Sequence, residues 1–355
     1  MSVMTVMGPV PAESLGVTLM HEHLLIDVSY KWQQPVEASL RAFAEEKVSL
    51  KNFGYLSRNL GAMKDNLRLT DVDQAAEEAR EFKKVGGGTI VDVTPIGIGR
   101  DPRALRAIST ISGVHVVTCC GYYIKNSHPA SIASRDVESL TEEMIGEIRN
   151  GIGNTGIRPG IIGEIGLGEP MYVKGHTGDE MHADEERVLR AAGRAQRATG
   201  LAVTVHIYNY RPNALALMAL DILEAEGADP KRVVICHLDA RIDTDYAARV
   251  MDRGAYAEFD TFGIENYNDG SLGQFPRDIE RIDALVELCG RGYVDRLVLS
   301  HDVCTKMQTC AYGGWGYAHL SRNIEPRMRK AGLTESDIAE MRVDNPRRIL
   351  DVPAA

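Results

Sequence analysis

The sequence has few cysteines and no excess of basic residues, and each shortage excludes a class of protein. Only six of the 355 residues are cysteines and none form a CxxC pair, which argues against a cysteine zinc knuckle or a thioredoxin-type site. The 50 acidic residues outnumber the 40 basic ones, and the net charge of −10 disfavours a nucleic-acid or anionic-membrane binder. We therefore expect free thiols in the cytoplasm, with neither nucleic acid nor membrane as a partner.

Long apolar runs and several nucleotide or nucleophile motifs are also missing. No apolar run approaches the roughly 20 residues needed to cross a bilayer, and residues 1–16 lack the basic and apolar segments of a secretory signal. The GxSxG of serine hydrolases does not occur. No GxGxxG follows an early strand, because VGGGT at 85–89 precedes one. We expect neither a serine nucleophile nor a dinucleotide-binding loop.

Eight short runs rich in valine and isoleucine recur along the chain, as expected for strands buried on both faces. They lie at 17–20, 89–93, 114–120, 160–166, 201–206, 232–237, 255–260 and 296–302. Helix-like patterns lie between them at 70–87, 136–152, 183–200, 213–227, 243–254 and 276–292, and a C-terminal pair follows at 319–332 and 335–350. This alternation predicts a parallel sheet, and eight such units close into a (β/α)8 TIM barrel.

One irregular stretch, residues 28–69, separates the first run from the first convincing helix. We interpret it as an insertion over one mouth of the barrel, acting either as a substrate lid or as a dimer contact. No composition change marks a domain boundary, so residues 1–355 are predicted to form a single domain.

Histidines and an aspartate stand where the predicted strands end. His21 and His23 directly follow the first run, and alternate residues of a strand point the same way, so two imidazoles can face one metal. Three further runs end on the same residue types: His206, His237 and the pair His301–Asp302. The carboxyl ends of barrel strands meet at one mouth. The pattern therefore predicts a metal site there, although a single histidine at a strand end is usually structural.

A carboxylate lies inside the fourth run, where Glu164 occurs within GIIGEIG. A buried carboxylate is costly unless it is paired or bound to a metal. A position between two divalent cations would neutralise it, and the alternative is a salt bridge to an inward-facing arginine or lysine.

These motifs resemble the phosphotriesterase family of the amidohydrolase superfamily. GPVPAESLGVTLMHEHLLID opens the match, and GIIGEIG, VTVHIYN, VVICHLD, EFDTFGIE and LVLSHDVCTK follow in order over essentially the whole chain. The resemblance implies a (β/α)8 barrel, a binuclear divalent metal centre and a homodimer. It implies that His21 and His23 bind the more buried ion, and that His206 and His237 bind the more exposed one. Asp302 would bind the buried ion and shuttle a proton.

The sequence departs from the best-known members of the family, which bridge the metals with a carboxylated lysine. The fourth run has no lysine, and Glu164 lies one position later, so a bulge is needed to turn it inward. Glutamate-bridged members, including the phosphotriesterase-related group, share the GEIG pattern. The segment EFDTFGIE also resembles that group more than the lactonases, in which an arginine typically follows the aspartate.

The expected chemistry is hydrolysis by a hydroxide shared between two cations. Zinc is the expected metal, and manganese, cobalt or iron would also fit. A carboxyl ester or lactone is the first expected substrate, with promiscuous organophosphate hydrolysis. An amidase for N-acyl amino acid-type substrates is the alternative, favoured by a basic group such as Lys125 or Arg211 at the mouth. A TatD-like nuclease conflicts with the acidic charge, and a non-catalytic metal-binding protein conflicts with the presence of Asp302.

Residues after the third run are candidates for contacting the substrate. Tyr122 and Tyr123 are placed to donate to a substrate oxygen, and Lys125 to face an anionic group. The alternatives are aromatic packing for the tyrosines and surface exposure for the lysine. Further candidates at the mouth are His128, for which solvent exposure is the alternative, together with Asp260, Glu265 and Trp315.

Overall fold

Eight parallel strands form the barrel of the computed structural model, which describes residues 2–32, 34, 37–168, 181–208, 214–268 and 273–352. The strands are β1 (Val17–Glu22), β2 (Gly87–Asp92), β3 (His115–Val117, resuming as Cys119–Cys120), β4 (Ile161–Leu167), β5 (Val203–Ile207), β6 (Val233–Ile235), β7 (Tyr256–Phe259) and β8 (Leu297–Leu299). Parallel ladders join them in chain order from β1 to β8. The amide of His21 donates to Ser300 Oγ at 3.0 Å and brings β1 beside β8. The predicted TIM barrel is confirmed, with one strand in each of the eight predicted runs.

Each barrel strand is followed by a helix. The helices are α1 (Val72–Lys84), α2 (Pro102–Ser112), α3 (Val137–Asn150), α4 (Ala183–Thr199), α5 (Leu215–Ala225), α6 (Thr244–Asp252), α7 (Asp278–Gly290) and α8 (Glu325–Lys330). Short helices Glu335–Ala339 and Asn345–Leu350 end the described chain. Asp71, Asp136 and Asp243 cap α1, α3 and α6 by accepting backbone N–H groups, which explains why the sequence patterns located these helices well. Within the described ranges no helix is both long and apolar enough to cross a bilayer.

The helix α2 was not among the predicted helices, although its start and stop signals are present. Asp101 accepts from the amides of Arg103 and Ala104, Pro102 occupies the first turn, and Gly113 ends the helix with a φ of 71°. Its apolar positions are interrupted by serine and threonine, which weakened the periodic pattern.

The segment 28–69 packs against the loop that follows β8, at the mouth where the carboxyl ends of the strands meet. Its described part contains the short helices Ala38–Ala44 and Phe53–Leu56. Lys306 pairs with Asp65 at 2.9 Å, and the amide of Met307 donates to Asn66. The insertion therefore covers part of the mouth, as predicted.

A bulge in β4 turns Glu164 toward the inside of the barrel. Val203 of β5 pairs with Ile162, but Val205 pairs with Ile165, so β4 advances three residues while β5 advances two. The extra residue reverses the facing of the strand beyond it. This is the shift that the position of Glu164 required. Gly163 lies in the bulge with a φ of 105°, and a Cβ built on it would lie 2.2 Å from the carbonyl oxygen of Thr204.

The bulge predicts that Gly163→Ala is destabilising. The added methyl group collides with backbone and the residue must keep a left-handed φ, so we expect the free energy of unfolding to fall by more than about 1 kcal/mol. Gly146→Ala is the matched control, because Gly146 lies in α3 with open space around it and alanine favours helix there. Relative to the unmodified protein, the urea midpoint of unfolding should be lower for Gly163→Ala and higher for Gly146→Ala. A Gly163→Ala midpoint at or above that of the unmodified protein would contradict this account of the bulge.

Candidate metal centre

The six predicted metal ligands converge at the mouth. They come from five barrel strands or the residues just after them: His21, His23, Glu164, His206, His237 and Asp302. Glu164 is central, because its Oε1 lies 3.4 Å from His23 Nε2 and its Oε2 lies 3.5 Å from His21 Nε2. The same Oε2 lies 3.1 Å from His206 Nδ1 and 4.0 Å from His237 Nε2. One carboxylate thus contacts two pairs of imidazoles.

The ligand atoms form two neighbouring groups. One group contains His21, His23 and Asp302, whose ligand atoms all lie within 4.8 Å of one another. The second lies around His237 Nε2, which is 2.7 Å from His206 Nδ1. Since Glu164 contacts members of both groups, the arrangement suits two adjacent cations with this carboxylate between them.

The chemistry of these residues fits divalent metal ions. Both ring nitrogens of His21 are buried and have no hydrogen-bond partner among the described residues. Burial alone would raise the pKa of Glu164, but His21 and His206 outweigh it and hold that pKa well below the usual range. The pKa of Asp302 is likewise lowered despite burial, chiefly by His23. Ionised carboxylates beside imidazole nitrogens suit zinc, manganese, cobalt or iron.

Hydrogen bonds orient two of the imidazoles. The hydroxyl of Thr94 donates to the carbonyl oxygen of Leu25, so it accepts from His23 Nδ1 at 2.8 Å and leaves His23 Nε2 unprotonated for a metal. His237 Nδ1 lies 2.8 Å from Asp260 Oδ1, and Asp260 raises the pKa of His237 despite burial. Thr94 was not predicted, because nothing in its sequence context separates it from other strand-end threonines.

Two of the predicted ligands have a left-handed backbone that non-glycine residues seldom adopt. The φ of His237 is 59° and that of Asp302 is 51°. Asp260 accepts the amide of His237. Glu22 accepts the amides of Val303, at 3.0 Å, and of His301, at 2.9 Å, and so holds the chain on both sides of Asp302. Strain of this kind is typical of functional sites.

Glu22 was missed as a functional residue, although it lies between the two histidines of the first motif. It is fully buried, and it also accepts from His301 Nδ1 at 2.7 Å. The imidazole of His301 therefore supports the loop and is not a ligand. A carboxylate inside a buried strand was the available signal, and it was used only for Glu164.

The three predicted substrate residues lie in different places. The hydroxyl of Tyr123 lies 3.2 Å from His206 Nε2, at the centre. That of Tyr122 instead donates to Glu143 on α3, and the ammonium of Lys125 pairs with Asp184 on α4. The structure therefore does not support substrate contacts for Tyr122 and Lys125.

The other mouth candidates also differ from expectation. His128 is half-buried rather than exposed, and its Nε2 bonds the carbonyl of Tyr123; burial lowers its pKa to about 4. Asp260 is fully buried and holds His237 rather than facing a substrate at the mouth. Glu265 accepts the amide of Asp278, and Arg211 lies outside the described residues.

A cavity of about 430 Å³ opens beside the loop that carries Asp302. Its walls include four aromatic residues: Phe53, Phe262, Tyr267 and Trp315. Trp315 is 55% exposed and stacks on His319 with ring centroids 4.8 Å apart. The glycine-rich loop that carries Trp315 thus forms a wall of the cavity.

A lysine that was not predicted reaches the centre from the insertion. Lys31 Nζ donates to the hydroxyl of Tyr123 at 3.2 Å and lies 5.0 Å from the centroid of that ring. Burial and His237 lower the pKa of His206 to about 4, and Lys31 contributes in the same direction. A positive charge therefore faces the mouth beside a metal ligand.

The position of Glu164 predicts that it is needed for both ions. Purified protein should contain two divalent ions per chain by elemental analysis, and Glu164→Gln should contain fewer, because the amide loses the charge shared by both groups. Glu138→Gln is the control, since Glu138 is exposed on α3 and its carboxylate pairs with Arg194 rather than with a predicted ligand. Two tightly held ions in Glu164→Gln would contradict the bridging role.

Comparisons with known proteins show the family to which the chain belongs. A family model described as the phosphotriesterase family matches residues 1–350. An N-acetyltaurine hydrolase from Salmo salar is 35% identical, over 98% of this chain and 97% of its own. A resiniferatoxin-binding protein from Rhodobacter sphaeroides has a TM-score of 0.93 at 40% identity, covering 99% of this chain and 95% of the other. A mutant PTE-like lactonase from Deinococcus radiodurans has a TM-score of 0.74 at 28% identity, covering 98% and 100%.

The family match spans nearly the whole chain, and the curated relative is similar over its full length. The chain therefore belongs to the phosphotriesterase family and is a hydrolase.

Proposed function

We propose that the protein is a binuclear zinc-dependent amidohydrolase that cleaves small N-acyl amino acids or N-acyl aminosulfonates. The observation that carries the proposal is the position of Lys31, whose ammonium lies beside Tyr123 and His206 at the mouth. Such a cation can hold the anionic end of a substrate while its amide lies at the metal centre. The relatives named N-acetyltaurine hydrolase support this class, because N-acetyltaurine joins an amide to a sulfonate.

The six ligand side chains would hold the two ions, with His21, His23 and Asp302 around one and His206 and His237 around the other. Bound divalent ions lower the pKa of water and polarise a scissile carbonyl. Glu164 contacts both groups and fixes their separation. Lys31 has only donors, so the Tyr123 oxygen accepts from it, and both side chains lie at the mouth beside His206.

Asp302 is the proton carrier in this proposal. Its side chain is 18% exposed, whereas that of Glu164 is 2% exposed, so Asp302 is the ligand carboxylate that faces the substrate. It accepts the proton of the attacking water and delivers it to the leaving nitrogen. An amine must leave protonated, so the delivery matters more for an amide than for an ester.

Ester or lactone hydrolysis is the second candidate. The similarity to the Deinococcus radiodurans PTE-like lactonase supports it, and the cavity beside Asp302 has room for a larger acyl or alcohol group. The residue after Asp260 is Thr261 rather than the arginine expected for lactonases, which favours the amide. We also propose a cytoplasmic location, supported by six free thiols, and a homodimer by analogy with the family.

Asp302→Asn tests the proton carrier. The amide side chain can still offer an oxygen ligand but cannot take up the proton, so kcat should fall by about 100-fold or more at unchanged metal content. Asp221→Asn, at an exposed aspartate of α5, should leave kcat unchanged. A fully loaded Asp302→Asn enzyme that turns over at the normal rate would refute this role.

Lys31→Gln tests the substrate class. We expect KM for N-acetyltaurine to rise about 10- to 100-fold, because a charge-assisted contact is lost, with little change for neutral N-ethylacetamide. Lys125→Gln is the matched control, since its ammonium is already paired with Asp184. Equal effects of Lys31→Gln on the charged and neutral amides would remove the anchoring role.

A further inference from the structure

A second buried acidic group lies on the far side of His21 from the metal ligands. His21 Nδ1 lies 3.4 Å from Glu258 Oε2 and 3.4 Å from Asp260 Oδ2. The thiol of Cys236 belongs to the same group, whose donor atoms all lie within 4.8 Å of one another. None of the four side chains is exposed. His21 is thus placed between the proposed metal sites at Nε2 and an acidic group at Nδ1.

Glu258 has no conventional partner in this group. Both of its carboxylate oxygens are buried and lack a hydrogen bond within the described ranges. Asp260 differs, because it accepts both the amide and Nδ1 of His237. A buried carboxylate is costly unless a neighbouring charge or donor compensates it, so a protein interior seldom retains one without a reason.

The positive charge of the two proposed metal ions, on the Nε2 side of His21, gives that reason. Two divalent ions carry four positive charges, and the carboxylates of Glu164 and Asp302 with one hydroxide nucleophile carry three negative ones, so one positive charge would remain in a buried site. An ionised Glu258 would balance it. Opposite charges separated by one imidazole ring attract strongly where water is excluded.

The direction of the His21 proton leads to the same conclusion. Its Nε2 faces Glu164 and Asp302 and is the nitrogen placed to bind a metal, so Nδ1 carries the proton. That proton faces carboxylates, whereas the corresponding proton of His23 meets the neutral hydroxyl of Thr94. A carboxylate behind a ligating histidine makes the ring a stronger ligand and fixes its orientation.

We propose that Glu258 is a positioning residue that accepts the Nδ1 proton of His21 and balances the charge of the two metal ions. It thereby stabilises the loaded centre and destabilises the metal-free protein. This inference rests on the proposed metal-dependent function, although it concerns metal binding rather than the substrate.

The test compares Glu258→Gln with the unmodified protein after chelator treatment and after reloading with zinc. We expect the Tm of the stripped variant to equal or exceed that of the stripped parent, because a buried charge has been removed. The rise in Tm on adding zinc should be smaller, and zinc affinity, measured against a competing chelator, should be about 10- to 100-fold weaker. Glu78→Gln is the matched control, because Glu78 is buried but accepts the amides of Cys310 and Ala311. It should lower both Tm values equally.

The outcomes separate this inference from the proposed function. Equal losses of Tm in the stripped and loaded Glu258→Gln protein, or unchanged zinc affinity, would overturn the role of Glu258 and leave the hydrolase intact. Tight zinc binding that depends on Glu258, in a protein that hydrolyses none of the proposed substrates, would support the inference and overturn the proposed function. A parent protein that takes up no zinc would overturn both.

Discussion

The buried carboxylate of Glu164 is the constraint on which the centre depends. It lies within 3.1–4.0 Å of one ring nitrogen from each of four histidines, and those histidines come from three different strand ends. Only a closed barrel brings these ends together, and only the bulge at Gly163 turns the carboxylate toward them. Fold and chemistry are therefore linked through a single local irregularity in β4.

Buried acids also hold the two predicted ligands that have a left-handed backbone. Each is supported by a buried acid from a neighbouring strand: Asp260 holds His237, and Glu22 holds the loop around Asp302. Glu22 lies between His21 and His23, so the end of β1 offers two predicted ligands at alternate positions and, between them, a support for the loop after β8. Asp260 and Glu22 thus hold the backbone, which is a role separate from the metal binding and charge balance proposed for Glu164 and Glu258.

Prediction from sequence worked where the signal was local. Apolar runs located all eight strands, and each of the six predicted metal ligands lies in or just after one of these strands. The failures needed three-dimensional information. Tyr122 and Tyr123 are neighbours, yet one hydroxyl reaches α3 and the other reaches His206. The ammonium of Lys125 pairs with Asp184, which lies 59 positions away along the chain, and no sequence pattern reveals that pair.

The choice between ester and amide depends on groups that the sequence did not point to. Metal ligands alone do not decide it, because a polarised carbonyl and an activated water serve both reactions. An amide differs in its leaving group, which needs a proton, and this favours a carboxylate that is both a ligand and open to the mouth, as Asp302 is. A charged substrate also needs a counter-ion that does not disturb the metals. In the proposed function Lys31 would be that counter-ion, because it contacts the Tyr123 hydroxyl beside His206 and comes from the insertion rather than from the barrel. Specificity would then depend on the segment 28–69, whereas the predicted metal ligands come from the strands.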